Sequence, residues 1–185
     1  MAYRSGTYIA FHADGNNIPG GKSDIDYYNL MKAWTAKTDD DFTMINSHDK
    51  ASAVRDASLR TTLRNSLLER LRNSKNMVLV IGETTRLDTD WVPFEIEKAV
   101  DTYKIPIIAA YTVFDKPIRA PRSLSWYWPK ALEVRIDNET ASVIHIPFKK
   151  EALKDAILFS HSNPPLGKGL GIYADAAYKA FGIEG

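Results

Sequence analysis

Two continuous apolar runs, NMVLVIG at 76–82 and IPIIAAY at 105–111, constrain this chain more than any other feature. A strand with one wet face alternates apolar and polar residues. A run without alternation needs cover on both faces, as in a parallel sheet between two helical layers. TYIAF (7–11), FTMIN (42–46) and SVIHIPF (142–148) read as three further strands. The segments between them supply the helices. Ser23 is placed to cap one that runs to about Trp34, with Asp26 at its third position. Ser58 to Arg72 carries an apolar stripe of Leu59, Leu63, Leu67, Leu68 and Leu71. KKEALKDAILFS (149–160) is a third helix, and a last short one follows NPPLGKGLG at about 172–181. Strand and helix in alternation imply an α/β fold around a central, mainly parallel sheet of about five strands. One domain over 1–185 is expected, with its core at about 7–160 and residues 161–185 as a C-terminal extension. Residues 112–140, with Pro117, Pro121, Pro129 and the aromatic knot Trp126-Tyr127-Trp128, read as irregular.

Charge and composition remove several classes of function. Lys and Arg number 24 against 23 Asp and Glu, for a net charge of +1, and the signs are interspersed. No basic block points to nucleic acid, and no apolar run reaches membrane-spanning length. With no cysteine, disulfides, thiolate catalysis and thiolate-bound zinc are excluded. The opening MAYRSGTYIAF lacks the apolar stretch of a secretory signal, so a cytoplasmic protein is expected.

Open parallel sheets bind ligands at the carboxyl ends of their strands, where strand order switches. That rule selects Phe11, His12 and Asp14 after the first strand, Asn46, Ser47, His48 and Asp49 after the second, and Glu83, Thr84, Thr85 and Arg86 after the third. The next helix starts in WVPFEIEKAV (91–100). Wound at about 100° per residue, Trp91, Val92, Ile96, Ala99 and Val100 share an apolar arc, while Glu97, Lys98 and Asp101 lie opposite. Glu95 lies on the edge of the apolar arc, one turn from both Trp91 and Ala99. It is either an edge residue that snorkels to water or a carboxylate held in a pocket for a purpose.

Other motifs do not close. PGGKS (19–23) sits between a strand and a helix, as a phosphate-binding loop would, but that loop needs Gly at 16, where Asn16 stands. A phosphoryl-receiver site needs an Asp at the end of the third strand, which ends Ile81-Gly82-Glu83. His12, His48, His145 and His161 show no zinc-binding spacing, so no metal is expected. His145 reads as a structural strand residue. Arg55, Arg60, Arg64, Arg70 and Arg72 are most simply a solvated helix face, with a surface for assembly as the alternative.

The block SLRTTLRNSLLERLRNSKNMVLVIGETTRLDTDWVPFEIEKAV (58–100) resembles the centre of bacterial TIR-like domains, including the TIR proteins of the Thoeris antiphage system. The shared features are a helix with S/T-x-x-L spacing, a VxVxIG-type strand, a T-T-R loop, and W-V-x-x-E-I opening a helix. TYIAFHAD resembles their first strand, and INSHD (45–49) falls where their second strand delivers an acid or amide. Asn46 is the amide, and the loop after the first strand is longer and richer in glycine than in many relatives. The resemblance implies a flavodoxin-like, three-layer fold. It also implies an enzyme that cleaves NAD at the nicotinamide–ribose bond, with NAD as substrate and no separate cofactor. By the same resemblance Glu95 is the catalytic carboxylate, and Trp91, His12, Phe11, Asp14, Asn46, Ser47 and Thr84 are substrate-binding candidates. Self-association and a separate effector that senses a cyclic or otherwise rearranged ADP-ribose signal are the implied partners. A catalytically silent assembly module and a nucleotide sensor without turnover are the rival readings.

Overall fold

A computed structural model describes residues 4–12, 24–36, 44–45 and 57–185. The glycine-rich stretch after the first strand, the proposed cap Ser23, and Asp14, Asn46, Ser47 and His48 lie outside the described residues, as do the side chains of 57–59. The elements are β1 (Gly6–Ala10), α1 (Asp24–Thr35), β2 (Met44–Ile45), α2 (Ala57–Arg72), β3 (Ser74–Ile81), α3 (Trp91–Glu97), β4 (Ile107–Tyr111), α4 (Lys130–Asp137), β5 (Val143–Pro147), α5 (Lys150–Ala156) and α6 (Asp175–Ala180). Five parallel strands run in the order β2-β1-β3-β4-β5. The chain goes outward from β1 to β2, then crosses to β3 on the other side. The order therefore switches at β1 and β3, where such sheets hold ligands.

The absence of alternation in β3 and β4 has the expected cause. Met77, Leu79 and Ile81 face one core, together with Leu63, Leu67 and Leu71 of α2, Val92 and Ile96 of α3, and Leu132 and Ile136 of α4. Val78 and Val80 face the other, with Tyr28 and Met31 of α1, Ala152 and Leu153 of α5, and Tyr178. Each strand is thus apolar on both sides because helices cover both sides.

Three expectations are corrected. The stretch 112–140 is not irregular throughout: a 3₁₀ segment spans Pro121–Tyr127, and α4 follows with Pro129 immediately before it. Pro129 breaks the pattern read from sequence, yet proline is tolerated where a helix begins. The expected helix over 149–160 is shorter, ending at Ala156. Asn76, buried in β3, closes it by donating from Nδ2 to the carbonyls of Ile157 and Phe159, both at 2.7 Å. The core also extends past 160, because Tyr178 and Ile183 are buried in the second cluster.

NPPLGKGLG does more than break a helix. Gly171 donates to Val143 O at 3.0 Å and accepts from His145 N–H at 2.9 Å, so the tail pairs with the outer edge of β5. A Cβ on Gly171 would come under 3.0 Å from the carbonyl oxygens of Leu166 and Val143, so only glycine fits. A buried polar chain ties this tail to the sheet. Trp128 Nε1–H donates to the Tyr111 hydroxyl at 2.6 Å, Tyr111 Oη lies 2.7 Å from His145 Nδ1, and His145 Nε2 lies 2.8 Å from Gly169 O. A carbonyl only accepts, so Nε2 carries the proton and Nδ1 accepts from Tyr111. Burial holds His145 down at about 4. Among the described residues, no helix is long and apolar enough to cross a membrane.

Candidate active site

Tyr8, in the middle of β1, points into the same core as α3. Its hydroxyl donates a short hydrogen bond to Glu95 Oε1. Glu95 is 0% exposed, so of the two positions open to it on the apolar arc it takes the enclosed one and does not snorkel to water. Tyr8 belongs to the same buried cluster as Trp91 and Ile96 and covers Glu95 from the sheet side. Burial, the neighbouring Glu95 carboxylate and the hydrogen bond to it all push the Tyr8 phenol well above its ordinary range, while the charge of Arg70 opposes them. Tyr8 is therefore a permanent donor. Arg70, read as part of a solvated face, places its charge near this pair.

Directly after Glu97 the helix widens into a π-helical segment, Lys98–Thr102, with Tyr103 N–H reaching Lys98 O at 3.0 Å. Such segments shift the helical register by a residue and recur at functional sites. A uniform wheel over 91–100 could not show it.

Trp91 lies one turn before Glu95 and is 7% exposed. The Arg60 guanidinium sits 5.1 Å from its ring, and Phe94 meets it edge-on at 6.5 Å. Its Nε1–H is buried and has no hydrogen-bond partner among the described residues. A buried indole N–H ordinarily finds an acceptor. Arg60 also bridges Asp90, and Arg64 lies 3.9 Å from it, so these two arginines tie α2 to the start of α3.

Asp88 connects α3 to the end of β1. One carboxylate oxygen accepts the backbone N–H groups of Asp90 (2.9 Å) and Trp91 (3.0 Å), and the other lies 3.1 Å from His12 Nδ1. His12 thus stands at the β1 end of the switch point, held by a carboxylate that also fixes the helix bearing Glu95. Phe11 is buried and stacks on Tyr28 at 4.8 Å, facing the opposite core from Glu95. Thr84 is half-buried and makes no side-chain cap. Its neighbour Thr85 is fully buried: its hydroxyl accepts Gly82 N–H at 2.7 Å and donates to Asp24 Oδ2 at 2.9 Å. Burial raises the Asp24 carboxyl, against hydrogen bonds from Thr85 and the His12 backbone and the charge of His12.

The structure therefore brings Glu95, Trp91 and His12 to one region, through Asp88, and turns Phe11 to the other face. Sequence reasoning missed Tyr8, Asp24, Asp88 and the role of Thr85. Two signals were present. A tyrosine in a buried strand needs a hydroxyl partner, and an Asp shortly before a helix is a natural cap. Among the described residues, no cluster of three or more His, Cys, Asp or Glu could hold a metal ion.

Residues 8–116 match the model of a protein family described as Thoeris protein ThsB, TIR-like domain. The match covers more than half of the 185 residues, from Tyr8 through β4, and includes His12, Asp88, Trp91 and Glu95.

Proposed function

The chain belongs to the TIR-like domain family of the Thoeris protein ThsB, and from that premise we propose that it cleaves NAD at the nicotinamide–ribose bond, with Glu95 as the catalytic carboxylate. The observation that carries the proposal is the fully buried Glu95, hydrogen-bonded by Tyr8 one turn from a tryptophan whose N–H has no acceptor among the described residues.

The chemistry asks for little more. The bond between ribose C1′ and the pyridinium nitrogen breaks with its electron pair moving to nitrogen, so nicotinamide leaves as a neutral molecule. Ordinary glycosidases protonate a poor leaving group with a second carboxyl group. Here no acid is needed. One carboxylate in a dry site stabilises the positive charge that develops on the ribose. Tyr8, always protonated, fixes one carboxylate oxygen, and Asp88 sets the helix that aims it. The Trp91 N–H supplies a donor to the substrate. Capture of C1′ by water, which loses a proton, gives ADP-ribose. Capture by a nucleophile of the same molecule gives a cyclised product lighter by one water. We assign that product a signalling role in antiphage immunity, read by a separate nucleotide-sensing effector.

In this structure the carboxylate is closed off, so turnover requires a rearrangement that uncovers it. Self-association is the trigger we assign. The same burial favours a second reading, in which Tyr8 and Glu95 form a structural pair inside a silent assembly module.

The test is incubation with NAD, dilute and concentrated and in infected-cell lysate, beside Glu95→Gln, with products separated by mass. Nicotinamide release by wild type, lost in a variant that still unfolds cooperatively, supports the enzyme. No release under any of these conditions leaves the silent module.

A further inference from the structure

Arg86 has no role in the site above, and its surroundings are unusual. It follows Thr85 in the loop after β3 and lies over Trp126, with the guanidinium 4.0 Å from the ring centroid. Trp126 is 68% exposed. Two adjoining cavities, about 360 and 440 Å³, are both lined by Arg86 and Lys130. The smaller adds Ser125, Trp126, Trp128 and Glu133. Arg86 has no carboxylate partner among the described residues, and its Nε–H is buried with no hydrogen-bond acceptor. The neighbouring cations differ: Arg135 is bound to Asp101, and Lys130 bonds Glu133 at 2.7 Å on the open surface.

A guanidinium is charged at every working pH and carries five donors. Leaving one buried and unmet is costly, whereas stacking alone leaves its donor edge free for an anion. An exposed indole beside it offers a face for a planar ring. A planar ring and an anion presented together, in a space of several hundred Å³, describe a nucleotide. We propose that the cleft between the β3 loop and α4 binds a mononucleotide, with the base stacked on Trp126 and the phosphate held by Arg86.

The cleft is separate from Glu95, which lines neither cavity. The larger cavity does include Asp88, Pro93 and Glu97, so an occupant also rests on the outer side of α3. The proposal stands whether or not the chain cleaves NAD.

The test is calorimetric titration of the purified full chain with AMP, and with adenosine and inorganic phosphate separately. Wild type is expected to bind one AMP, and either component more weakly than the whole. Trp126→Ala and Arg86→Gln should each weaken AMP on the order of tenfold or more, and Trp126→Phe less than Trp126→Ala. Glu95→Gln should bind AMP as wild type does. Urea unfolding of each variant confirms that it is folded. Absence of saturable AMP binding at millimolar concentration would overturn the proposal. So would equal affinity for phosphate alone, AMP affinity unchanged in folded Trp126→Ala and Arg86→Gln, or its loss in folded Glu95→Gln.

Discussion

Acidification from pH 7 to 4 is expected to weaken the fold through His145. The imidazole is buried between Tyr111 and Gly169, and burial lowers it from 6.5 to about 4. The folded state binds the neutral ring, so this contribution is complete above pH 6.5 and is lost as the pH falls from 6.5 to about 4. The depression corresponds to roughly 3 kcal/mol, a large part of the 5–15 kcal/mol typical of a whole domain. Its slope cannot exceed about 1.4 kcal/mol per pH unit, the value for one proton. The assay is urea unfolding of wild type and His145→Gln across this range. Glutamine keeps an N–H for Gly169 O and does not titrate. Carboxylates common to both proteins cancel in the difference. At neutral pH wild type should be the more stable, and the gap should shift by up to about 3 kcal/mol in favour of the variant on reaching pH 4. A gap that stays constant with pH would refute the neutral, buried imidazole and the proton placement drawn from it.

Asp88→Ala removes the acceptor for two N–H groups at the start of α3 and the carboxylate beside His12 Nδ1. The expected cost is about 1–2 kcal/mol of stability, with NAD cleavage falling further than that loss explains. Asp88→Asn, able to keep the cap, should recover most of the stability, as a urea midpoint would show. Gly82→Ala places a Cβ under 3.0 Å from Asp24 Oδ1, against a buried carboxylate already tied to Thr85. A cost of about 1–3 kcal/mol is expected, and a midpoint equal to wild type would contradict the packing described at the end of β3.

The sheet was legible because MVLVI (77–81) and IIAAY (107–111) form unbroken runs without a charged or amide side chain. NMVLVIG and IPIIAAY admit few arrangements other than a double-sided core. The position of the switch point was legible for the same reason, through topology rules that need only the order of elements. Less could be read of contacts across the fold. Nothing in TYIAF shows that its tyrosine reaches a glutamate 87 residues later, so the helical arc alone left Glu95 open between an edge residue and an enclosed carboxylate. Asp88 was passed over although an Asp before a helix is a natural cap, because Asp90 stands closer to the helix start and residue type alone does not say which of the two accepts the backbone N–H groups. Thr84 and Thr85 could not be separated, since one step along a tight turn decides which hydroxyl faces Gly82. The helix α4 was hidden by the prolines around it, and the tail by glycines that signal a break but do not say what they break against.

The family match stops at residue 116, whereas the sheet does not. Beyond that boundary lie α4, which covers one face of the sheet, β5, which pairs with β4, and the tail that closes the far side of β5. A fragment trimmed to the recognised residues would expose Ile107 to Tyr111 along an unsatisfied strand edge, with bare apolar faces above and below, the combination that drives chains to stack on one another. A fusion protein or minimal domain built from this chain should therefore be bounded by hydrogen bonds, not by sequence similarity. Its first safe stopping point lies after Gly171, and retaining Ile183 keeps the second core whole.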